Sequence, residues 1–419
     1  MGQATDKAQH AHDVAPQVAA ASASVRSAAI ARAAVLMRQN TAAIVEANGL
    51  DLARARENGM SAPLQDRLAL TAERIEGIAS ALESIAGQDD PLGHVLGGHK
   101  LDSGLAIEQV RVPLGVVAII YEARPNVTAD AFALCLRSGN ACVLKGGSAA
   151  AQTCEAIVAL CQQALVDCGL PQDAVQYVAD DASHTQTAEL LEATGLVDVI
   201  IPRGGASLIR ACVEGAKVPI IETGTGNCHI YLHRTADVAK AVDICVNAKT
   251  SRPGTCNSAE SLLVDACAAQ DLLPAVLAAL AEKGVELVGD ALACEVAAAC
   301  GVAMAPATDN DWGTEYLDLK MSVCCVDNID QAIAHVNRYG TKHSEAIVTE
   351  SYEASQKWLA GVDAAAVYVN ASTRFTDGGV FGLGGEIGIS TQKLHARGPM
   401  GADALTTTKY LIRGNGQTR

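Results

Sequence analysis

Aromatic side chains are scarce in this sequence: Phe, Trp and Tyr make up 3% of its 419 residues. Hydrophobic residues still account for 49% and charged residues for 19%. A core must therefore be built from Ala, Val, Leu and Ile. This composition is typical of a compact globular protein, and the length is sufficient for two domains of ordinary size.

An excess of positive charge is also absent. The chain has 31 Lys and Arg against 47 Asp and Glu, for a net charge of −16. Nucleic acids and anionic membranes require a basic surface, so neither is expected as a partner. An anionic small substrate is compatible with this charge only if cations are placed locally. We also expect no membrane span and no signal peptide, since no apolar run approaches ~18 residues and the first 30 residues contain no hydrophobic segment.

Two familiar cysteine and glycine patterns are missing. The 14 cysteines contain no C-x-x-C pair and no regular spacing, so we expect no metal site and no disulfide framework. Unpaired thiols in this number indicate a reducing, cytoplasmic compartment. The dinucleotide fingerprint G-x-G-x-x-G is absent as well, because Gly224-Thr225-Gly226 lacks its third glycine.

What the chain does contain is an alternation of strand and helix patterns. The first 90 residues are Ala-rich with helical periodicity, and residues 104–113 alternate like an exposed strand, whose free edge a partner subunit commonly covers. Apolar strands separated by helices then begin at Val116, and a second such set follows residue 256. The sequence therefore predicts an α/β fold with two parallel sheets. The strands predicted in the first set are 116–121, 141–145, 174–178, 197–201 and 218–221.

Polar and glycine-rich segments follow four of these predicted strands. Ligands of parallel sheets bind at the carboxyl ends of the strands, so these segments predict a nucleotide site. Gly204 and Gly205 precede a predicted helix and could direct N–H groups at a phosphate, although a tight turn is the other interpretation. The four segments are 121–126, 145–148, 202–205 and 222–226.

The segment 250–258, Thr-Ser-Arg-Pro-Gly-Thr-Cys-Asn-Ser, is the strongest catalytic candidate. It lies between a predicted helix, 237–249, and a predicted strand, 260–265, and Pro253 and Gly254 interrupt regular structure there. A cysteine on such a turn can act as a nucleophile when nearby donors favour its thiolate. The alternative is a buried structural thiol, which is the commoner role of free cysteine.

Six motifs occur in one order along the chain: RVPLG (111–115), IYEARPNV (120–127), IPRGG (201–205), RPGTCN (252–257), YVNASTRFTDGG (368–379) and STQKLHARGPMG (390–401). Through these motifs the chain, from about Ala20 to Leu411, resembles γ-glutamyl phosphate reductase, a reductive branch of the aldehyde dehydrogenase superfamily.

The resemblance implies an aldehyde dehydrogenase-like fold with a small β element for homo-oligomerisation. We expect N-terminal helices and an NADPH-binding domain in residues 1–230, with an oligomerisation hairpin at about 98–113. A catalytic domain in 231–390 would carry the nucleophilic cysteine. Residues 391–419 would return to the cofactor domain and add an oligomerisation strand.

The resemblance also implies a reaction: NADPH-dependent reduction of L-glutamyl 5-phosphate to L-glutamate 5-semialdehyde, with release of phosphate, in proline biosynthesis. In this expectation the Cys256 thiolate forms a thioester. The Asn126 amide and the Cys256 N–H stabilise the oxyanions. Taken alone, Asn126 after Pro125 could instead be a turn residue bonded to its own backbone.

Further roles follow from the same resemblance. Lys145 and Glu315, with Gly204 and Gly205, are expected to bind the cofactor NADPH/NADP. Glu222 matches the general base of the oxidising enzymes, but a reductase has no need to hydrolyse a thioester, so we expect it to shuttle protons.

Two arginines are the candidates for binding the substrate's anionic groups. A guanidinium binds carboxylate or phosphate bidentately, which makes Arg124 and Arg374 suitable. An interdomain salt bridge is the alternative for either.

Other functions remain open at this point. The principal alternative is an NAD-dependent aldehyde dehydrogenase that oxidises a small semialdehyde. A non-catalytic partner of glutamate 5-kinase and a structural oligomer are the others. Because glutamyl phosphate is labile, transient contact with that kinase is a further hypothesis.

Overall fold

A computed structural model describes residues 2–179 and 184–419 of the chain. The helices of these residues are α1 Gln3–Ala20, α2 Ala23–Gln39, α3 Thr41–Glu57, α4 Ala62–Leu68, α5 Ala72–Ala86, α6 Pro125–Arg137, α7 Ala151–Asp167, α8 Thr185–Leu191, α9 Ala206–Gly215, α10 Val238–Thr250, α11 Ala269–Glu282, α12 Ala291–Ala299, α13 Ile329–Tyr339 and α14 Tyr352–Gly361. The strands are β1 Val95–Lys100, β2 Ala106–Pro113, β3 Val116–Tyr121, β4 Ala141–Lys145, β5 Val175–Val178, β6 Val199–Arg203, β7 Cys228–Leu232, β8 Ala259–Asp265, β9 Glu286–Gly289, β10 Ala305–Pro306, β11 Lys320–Val326, β12 Ser344–Val348, β13 Ala366–Val369, β14 Ile389–Ser390, β15 Gly398–Pro399 and β16 Thr406–Arg413.

The chain divides into two compact units. The first comprises the residues up to Thr223 together with 382–388 and 399–419, and the second comprises 224–381 and 389–398. The predicted boundary at residue 230 is wrong, because it falls inside β7. That strand pairs with β8 on one side and β12 on the other, so it is an integral part of the second unit's sheet.

The first unit is built on a four-stranded parallel sheet in the order β5-β4-β3-β6. Every residue of β3 is buried, as its uninterrupted apolar sequence predicts. The strand predicted at 218–221 is absent. Pro219 has no N–H to donate, and this segment contributes only one bridge pair, between Ile200 and Ile220.

The second unit contains a seven-stranded parallel sheet in the order β10-β9-β11-β8-β7-β12-β13. Its central strands β7 and β8 are buried throughout. One cluster of aliphatic residues joins the sheet to α10, α11 and α12. A second cluster, which includes Tyr231 and Trp358, joins it to α13 and α14. The predicted arrangement of parallel sheets is thus observed in both units.

A third sheet, of three antiparallel strands, extends from the first unit in the order β1-β2-β16. All of β1 is exposed, and Tyr410 and Ile412 of β16 are more than half exposed. The sheet therefore presents apolar side chains and unpaired strand edges in a single chain.

Local sequence explains where the helices begin and end. The helical periodicity predicted over the first 90 residues is interrupted between α4 and α5, because the chain is extended between Leu68 and Ala72. Thr71 caps α5 by accepting a hydrogen bond from the Arg74 N–H. Strand β7 and helix α12 were not predicted.

One segment, Ser148–Asp167, is long and apolar enough to span a membrane by length and composition, with a mean hydropathy of 1.2. Its apolar residues Ile157 and Leu165 are buried, and it packs against α2, α3 and α6. These contacts are typical of a core helix in a globular domain.

Trp358 provides a test of the second unit's core. It is fully buried and stacks on Tyr231, with ring centroids 5.5 Å apart. We expect Trp358→Ala to lower the free energy of unfolding by about 3–5 kcal/mol, because it leaves a large cavity. Chemical denaturation followed by circular dichroism measures this. Tyr352→Ala, at a position that is 80% exposed, is the control and should change stability little; equal losses in both variants would contradict the assigned packing.

Candidate active site

Cys256 lies on a turn between α10 and β8 in the second unit, as predicted. Its side chain is partly exposed, which distinguishes it from seven of the other thirteen cysteines, which are buried. Burial raises the pKa of thiols such as Cys161 and Cys245, which makes them poor nucleophiles. A partly exposed thiol on a turn is accessible to a substrate.

The backbone of Cys256 packs directly on Gly226. A methyl group at position 226 would lie 1.5 Å from the Cys256 carbonyl oxygen and 2.7 Å from its Cα, so only glycine fits there. The thiol of Cys228 donates to the same carbonyl oxygen over 3.1 Å. Contacts with the 226–228 segment therefore fix the position of the Cys256 peptide.

The segment 372–376 holds the other side of the turn. Asn257 donates from Nδ2 to the Thr376 carbonyl over 2.9 Å, and its own carbonyl accepts from Thr373 Oγ1 over 2.8 Å. Arg374 donates from Nε to Ser251 Oγ over 3.0 Å and from Nη1 to Thr255 Oγ1 over 2.9 Å. The structure thus brings Arg374 to the cysteine turn.

Two guanidinium groups lie near each other at this turn. The pKa of Arg374 is lowered from its usual value, first by burial and then by repulsion from Arg252. Two like charges in proximity are stabilised by an anion, so this pair is suited to a carboxylate or phosphate. Arg252 was not singled out from the sequence, although it stands in the RPGTC motif beside the nucleophile.

Glu315 is also in the second unit, and its Oε1 accepts a hydrogen bond from the Gly226 N–H over 2.6 Å. Burial raises the pKa of this carboxyl, and the Gly226 hydrogen bond opposes that rise. The carboxylate is therefore linked to the residue on which Cys256 packs.

The cofactor candidates of the first unit lie at the carboxyl ends of the strands of its sheet. Lys145, which is buried, ends β4 and pairs with Ile120 and Val178, while Arg203 ends β6 opposite Tyr121. Strand order reverses between β3 and β6, and such switch points are where nucleotides bind.

Gly204 and Gly205 lead into α9 at this switch point. The Gly205 N–H donates to Glu122 Oε2 over 3.2 Å, so a carboxylate already lies at the amino end of the helix. A side chain at Gly204 would meet Glu122 and Leu208 at 2.8 and 2.7 Å. A phosphate at this helix end would have to displace Glu122, a contact that no local sequence pattern reveals.

Asn126 lies in the first turn of α6, exposed, and donates from Nδ2 to Asp130 Oδ2 over 3.2 Å. Its observed partner is thus a side chain one helical turn away. Arg124 occupies the N-cap position of this helix, and its N–H donates to the Glu122 carbonyl over 2.7 Å. Desolvation raises the pKa of Asp130 to about 6, opposed by the Asn126 hydrogen bond and the charge of Arg203.

Glu222 belongs to the first unit and is exposed. The residues around it are fixed: the Ile221 N–H donates to the Ile200 carbonyl over 3.0 Å, and Thr223 Oγ1 donates to the Pro202 carbonyl over 2.7 Å. Its backbone is thereby anchored beside the carboxyl end of β6.

Residues of the first unit fit the anionic part of a nicotinamide dinucleotide. A buried lysine at the carboxyl end of β4 offers a positive charge to an anionic dinucleotide. The glycine pair after β6, at the switch point, allows a close approach of the backbone. By contrast, no group of three or more His, Cys, Asp or Glu residues suited to a metal ion occurs in residues 2–179 and 184–419.

Comparison with known proteins identifies the family. Residues 2–300 match the aldehyde dehydrogenase family. The chain belongs to this family. It is 55% identical over 376 residues to the γ-glutamyl phosphate reductase of Clostridium perfringens, covering 90% of this chain and 89% of that one. It is 50% identical over 412 residues to the γ-glutamyl phosphate reductase of Thermobifida fusca, covering 98% and 97%.

Solved structures agree with this family assignment. The crystal structure of γ-glutamyl phosphate reductase from Thermotoga maritima superposes with a TM-score of 0.96 at 42% identity, over 100% of both chains. An acetylating aldehyde dehydrogenase from Geobacillus thermoglucosidasius shares the fold at 17% identity, with a TM-score of 0.71 over 100% of this chain and 97% of that one. The predicted aldehyde dehydrogenase-like fold and the resemblance to γ-glutamyl phosphate reductase are confirmed.

The raised pKa of Asp130 makes stability depend on pH. Since its folded pKa, about 6, exceeds its usual value of 3.8, the folded state holds the proton more tightly. Stability is therefore lost as pH rises from ~4 to ~6 and does not return above that. The asparagine of Asp130→Asn does not titrate, so we expect the free energy of unfolding of this variant, relative to that of the wild type, to increase by ~1–3 kcal/mol as the pH is raised from about 4 to about 8.

Melting temperatures of both proteins across this range measure the effect. Asp309→Asn, at an exposed position, is the control. A difference between Asp130→Asn and wild type that is independent of pH would show that Asp130 titrates in its ordinary range.

Proposed function

We propose that this chain reduces L-glutamyl 5-phosphate to L-glutamate 5-semialdehyde, releasing phosphate, in proline biosynthesis. The observation that carries the proposal is Cys256, partly exposed on a braced turn, in a chain that matches proteins named γ-glutamyl phosphate reductase along 90% or more of its length. The predicted function and the oxidoreductase class agree with that match.

Cys256 acts as the nucleophile in this proposal. Its thiolate forms a C–S bond with the acyl carbon while the C–O bond to phosphate breaks, which leaves a thioester. After reduction, the C–S bond of the resulting hemithioacetal breaks and the aldehyde leaves with the thiolate restored. The Gly226 and Asn257 contacts support this role, because they fix the turn through both steps.

Each tetrahedral species carries an oxyanion that needs donors already in place. We assign the Asn126 side-chain amide and the Cys256 N–H to it. Two features support Asn126: it is exposed in the first turn of α6, and Asp130 accepts one of its amide protons and so orients the group. Loss of one such donor costs about 2.7–4 kcal/mol of barrier.

The family implies a nicotinamide cofactor, and the proposal specifies NADPH. When bound, the cofactor supplies hydride to the carbonyl carbon of the thioester. Lys145 would bind the adenosine ribose and its 2′-phosphate, for which a buried ammonium at the strand end is suited. Gly204, Gly205 and Glu315 complete the proposed cofactor set.

Arg374 and Arg124 are the proposed ligands of the substrate's anionic groups, and Arg252 joins them. The mutual repulsion of Arg252 and Arg374 supports this, because an anion between them would relieve it. Glu222 is proposed to shuttle protons, and its anchored backbone is compatible with that task.

The remaining parts of the proposal concern assembly and setting. The first unit would bind cofactor and the second would carry the nucleophile, while the β1-β2-β16 sheet would pair with a second copy of the chain. Its exposed strands and apolar side chains support this.

We propose a cytoplasmic location, with transient contact to glutamate 5-kinase. All 14 cysteines lie in the described residues and are thiols outside disulfides, as in proteins of reducing compartments.

The reverse reaction tests the proposal. We expect glutamate 5-semialdehyde and NADP to yield NADPH only when phosphate is present, because phosphate must attack the thioester carbon and displace the Cys256 thiolate. For the same reason we expect Cys256→Ala to abolish turnover. Cys300→Ala, an exposed thiol, is the control. Turnover without phosphate would mean a hydrolysing, NAD-type aldehyde dehydrogenase with Glu222 as base, and absence of turnover in the wild type would refute the proposal.

Arg374 gives a second test. A lysine has one point charge and cannot reproduce the two contacts to Ser251 and Thr255 while also binding an anion. We expect Arg374→Lys to lower kcat/KM for the semialdehyde by ~10–100-fold, equivalent to about 1.4–2.8 kcal/mol. Steady-state kinetics measure this, with Arg32→Lys as a surface control. Unchanged kinetics would remove Arg374 from the substrate site.

A further inference from the structure

A buried ion pair closes the base of the cysteine turn. Lys249 lies in the last turn of α10, just before the turn, and Glu260 lies in β8, just after it. Lys249 Nζ and Glu260 Oε2 are 2.6 Å apart, and both side chains are fully buried. The pair therefore joins the two chain segments that enter and leave the nucleophile's turn.

The same carboxylate reaches a third segment. Glu260 Oε1 accepts a hydrogen bond from the Leu317 N–H over 3.3 Å. Leu317 has a φ of 55°, in the left-handed region that side chains other than glycine rarely adopt. An unusual backbone conformation persists only where its surroundings enforce it, and the buried Glu260 carboxylate is positioned to do so.

Leu317 lies two residues after Glu315, whose carboxylate accepts the Gly226 N–H over 2.6 Å. Gly226 in turn packs on the Cys256 peptide without room for a methyl group. A continuous series of contacts thus runs from the ion pair through the 315–317 segment and Gly226 to the nucleophile.

The proposed chemistry uses neither Lys249 nor Glu260. A buried ion pair is weak evidence for stability, since well-packed apolar residues of similar volume often serve as well or better. The pair brackets the cysteine turn, and its carboxylate also accepts the Leu317 N–H, a contact that an apolar pair of the same volume could not make.

We propose that Lys249, Glu260 and Glu315 are positioning residues that fix the Cys256 peptide, and with it the direction of the thiolate, through Leu317 and Gly226. The effect on turnover rests on the proposed function, whereas the effect on thiol reactivity does not.

Paired substitutions separate positioning from stability. Removing one charge alone would leave the other buried and unpaired, at a cost of about 3–5 kcal/mol, so both are neutralised together. Lys249→Met with Glu260→Gln retains an acceptor for the Leu317 N–H, whereas Lys249→Met with Glu260→Leu removes it. The first readout is alkylation of the free protein by iodoacetamide, with Cys256 quantified in its peptide by mass spectrometry and exposed Cys300 as the internal reference.

In the variant with Glu260→Leu, we expect iodoacetamide to alkylate Cys256 roughly tenfold more slowly than in the wild type. We expect kcat to fall by a similar factor with little change in KM; a tenfold change corresponds to about 1.4 kcal/mol. The Gln variant should recover most of both losses. Wild-type reactivity of Cys256 in the Leu variant would overturn the proposal, as would equal losses in the two variants.

Two further outcomes are decided by the same assay. Should the Leu variant fail to fold, Glu315→Leu and Glu315→Gln replace it, since only the glutamine can still accept from Gly226. Slower alkylation in Glu315→Leu alone then supports the proposal, and equal alkylation in both overturns it. Should the wild type show no turnover, the proposed function fails, while the alkylation rates still test the positioning.

Discussion

The close packing of Gly226 on the Cys256 peptide is the contact on which the rest of the second unit's site depends. With no side chain at 226, the two backbones touch, so any displacement of one moves the other. The neighbouring interactions can be understood as ways of keeping that contact in place. Glu315 accepts a hydrogen bond from the Gly226 N–H, and the Cys228 thiol donates one to the Cys256 carbonyl. Asn257, the residue after Cys256, donates a hydrogen bond to the 372–376 segment.

This arrangement assigns rigidity and chemistry to different groups. The thiol, the amide of Asn126 and the guanidinium groups are at least partly exposed and available to ligands. The groups behind the cysteine turn, including Lys249 and Glu260, are buried and bonded to each other. A nucleophile whose support lies in the core can keep one orientation while the groups it meets change through the reaction, which is the condition for preorganised catalysis.

Much of this could be predicted from the sequence, because it depends on local patterns. The bounds of β3 and β4 coincide with the predicted segments, and the turn carrying Cys256 follows from Pro253 and Gly254 between two periodic runs. The family could be inferred from several motifs because each of them is a continuous stretch of sequence. Predictions failed where the decisive interaction is distant in sequence. The sequence of β7 includes a histidine whose burial depends on Glu345, more than a hundred residues away, and so the strand was missed and the domain boundary was placed inside it.

The same limit applies within the site. The partner of Asn126, Asp130, is one turn along the same helix, yet the pKa of Asp130 is raised by burial and lowered in part by Arg203 from β6. Glu122 at the amino end of α9 and Arg252 beside Arg374 also become visible only when separate strands and turns are brought together. Local sequence indicates which residues could take part in the reaction, whereas tertiary contacts determine their hydrogen-bond partners, their burial and their pKa.

The division into two units has a spectroscopic consequence. The chain has two tryptophans, and both Trp312 and Trp358 lie in the second unit. Intrinsic tryptophan emission therefore reports on the second unit, which contains Cys256, and not on the first unit, which contains Asn126. A fluorescence signal that changes before the circular dichroism does would mark the second unit opening first, and the reverse order would mark the first. The scarcity of aromatic residues thus provides a built-in optical label for one half of the protein.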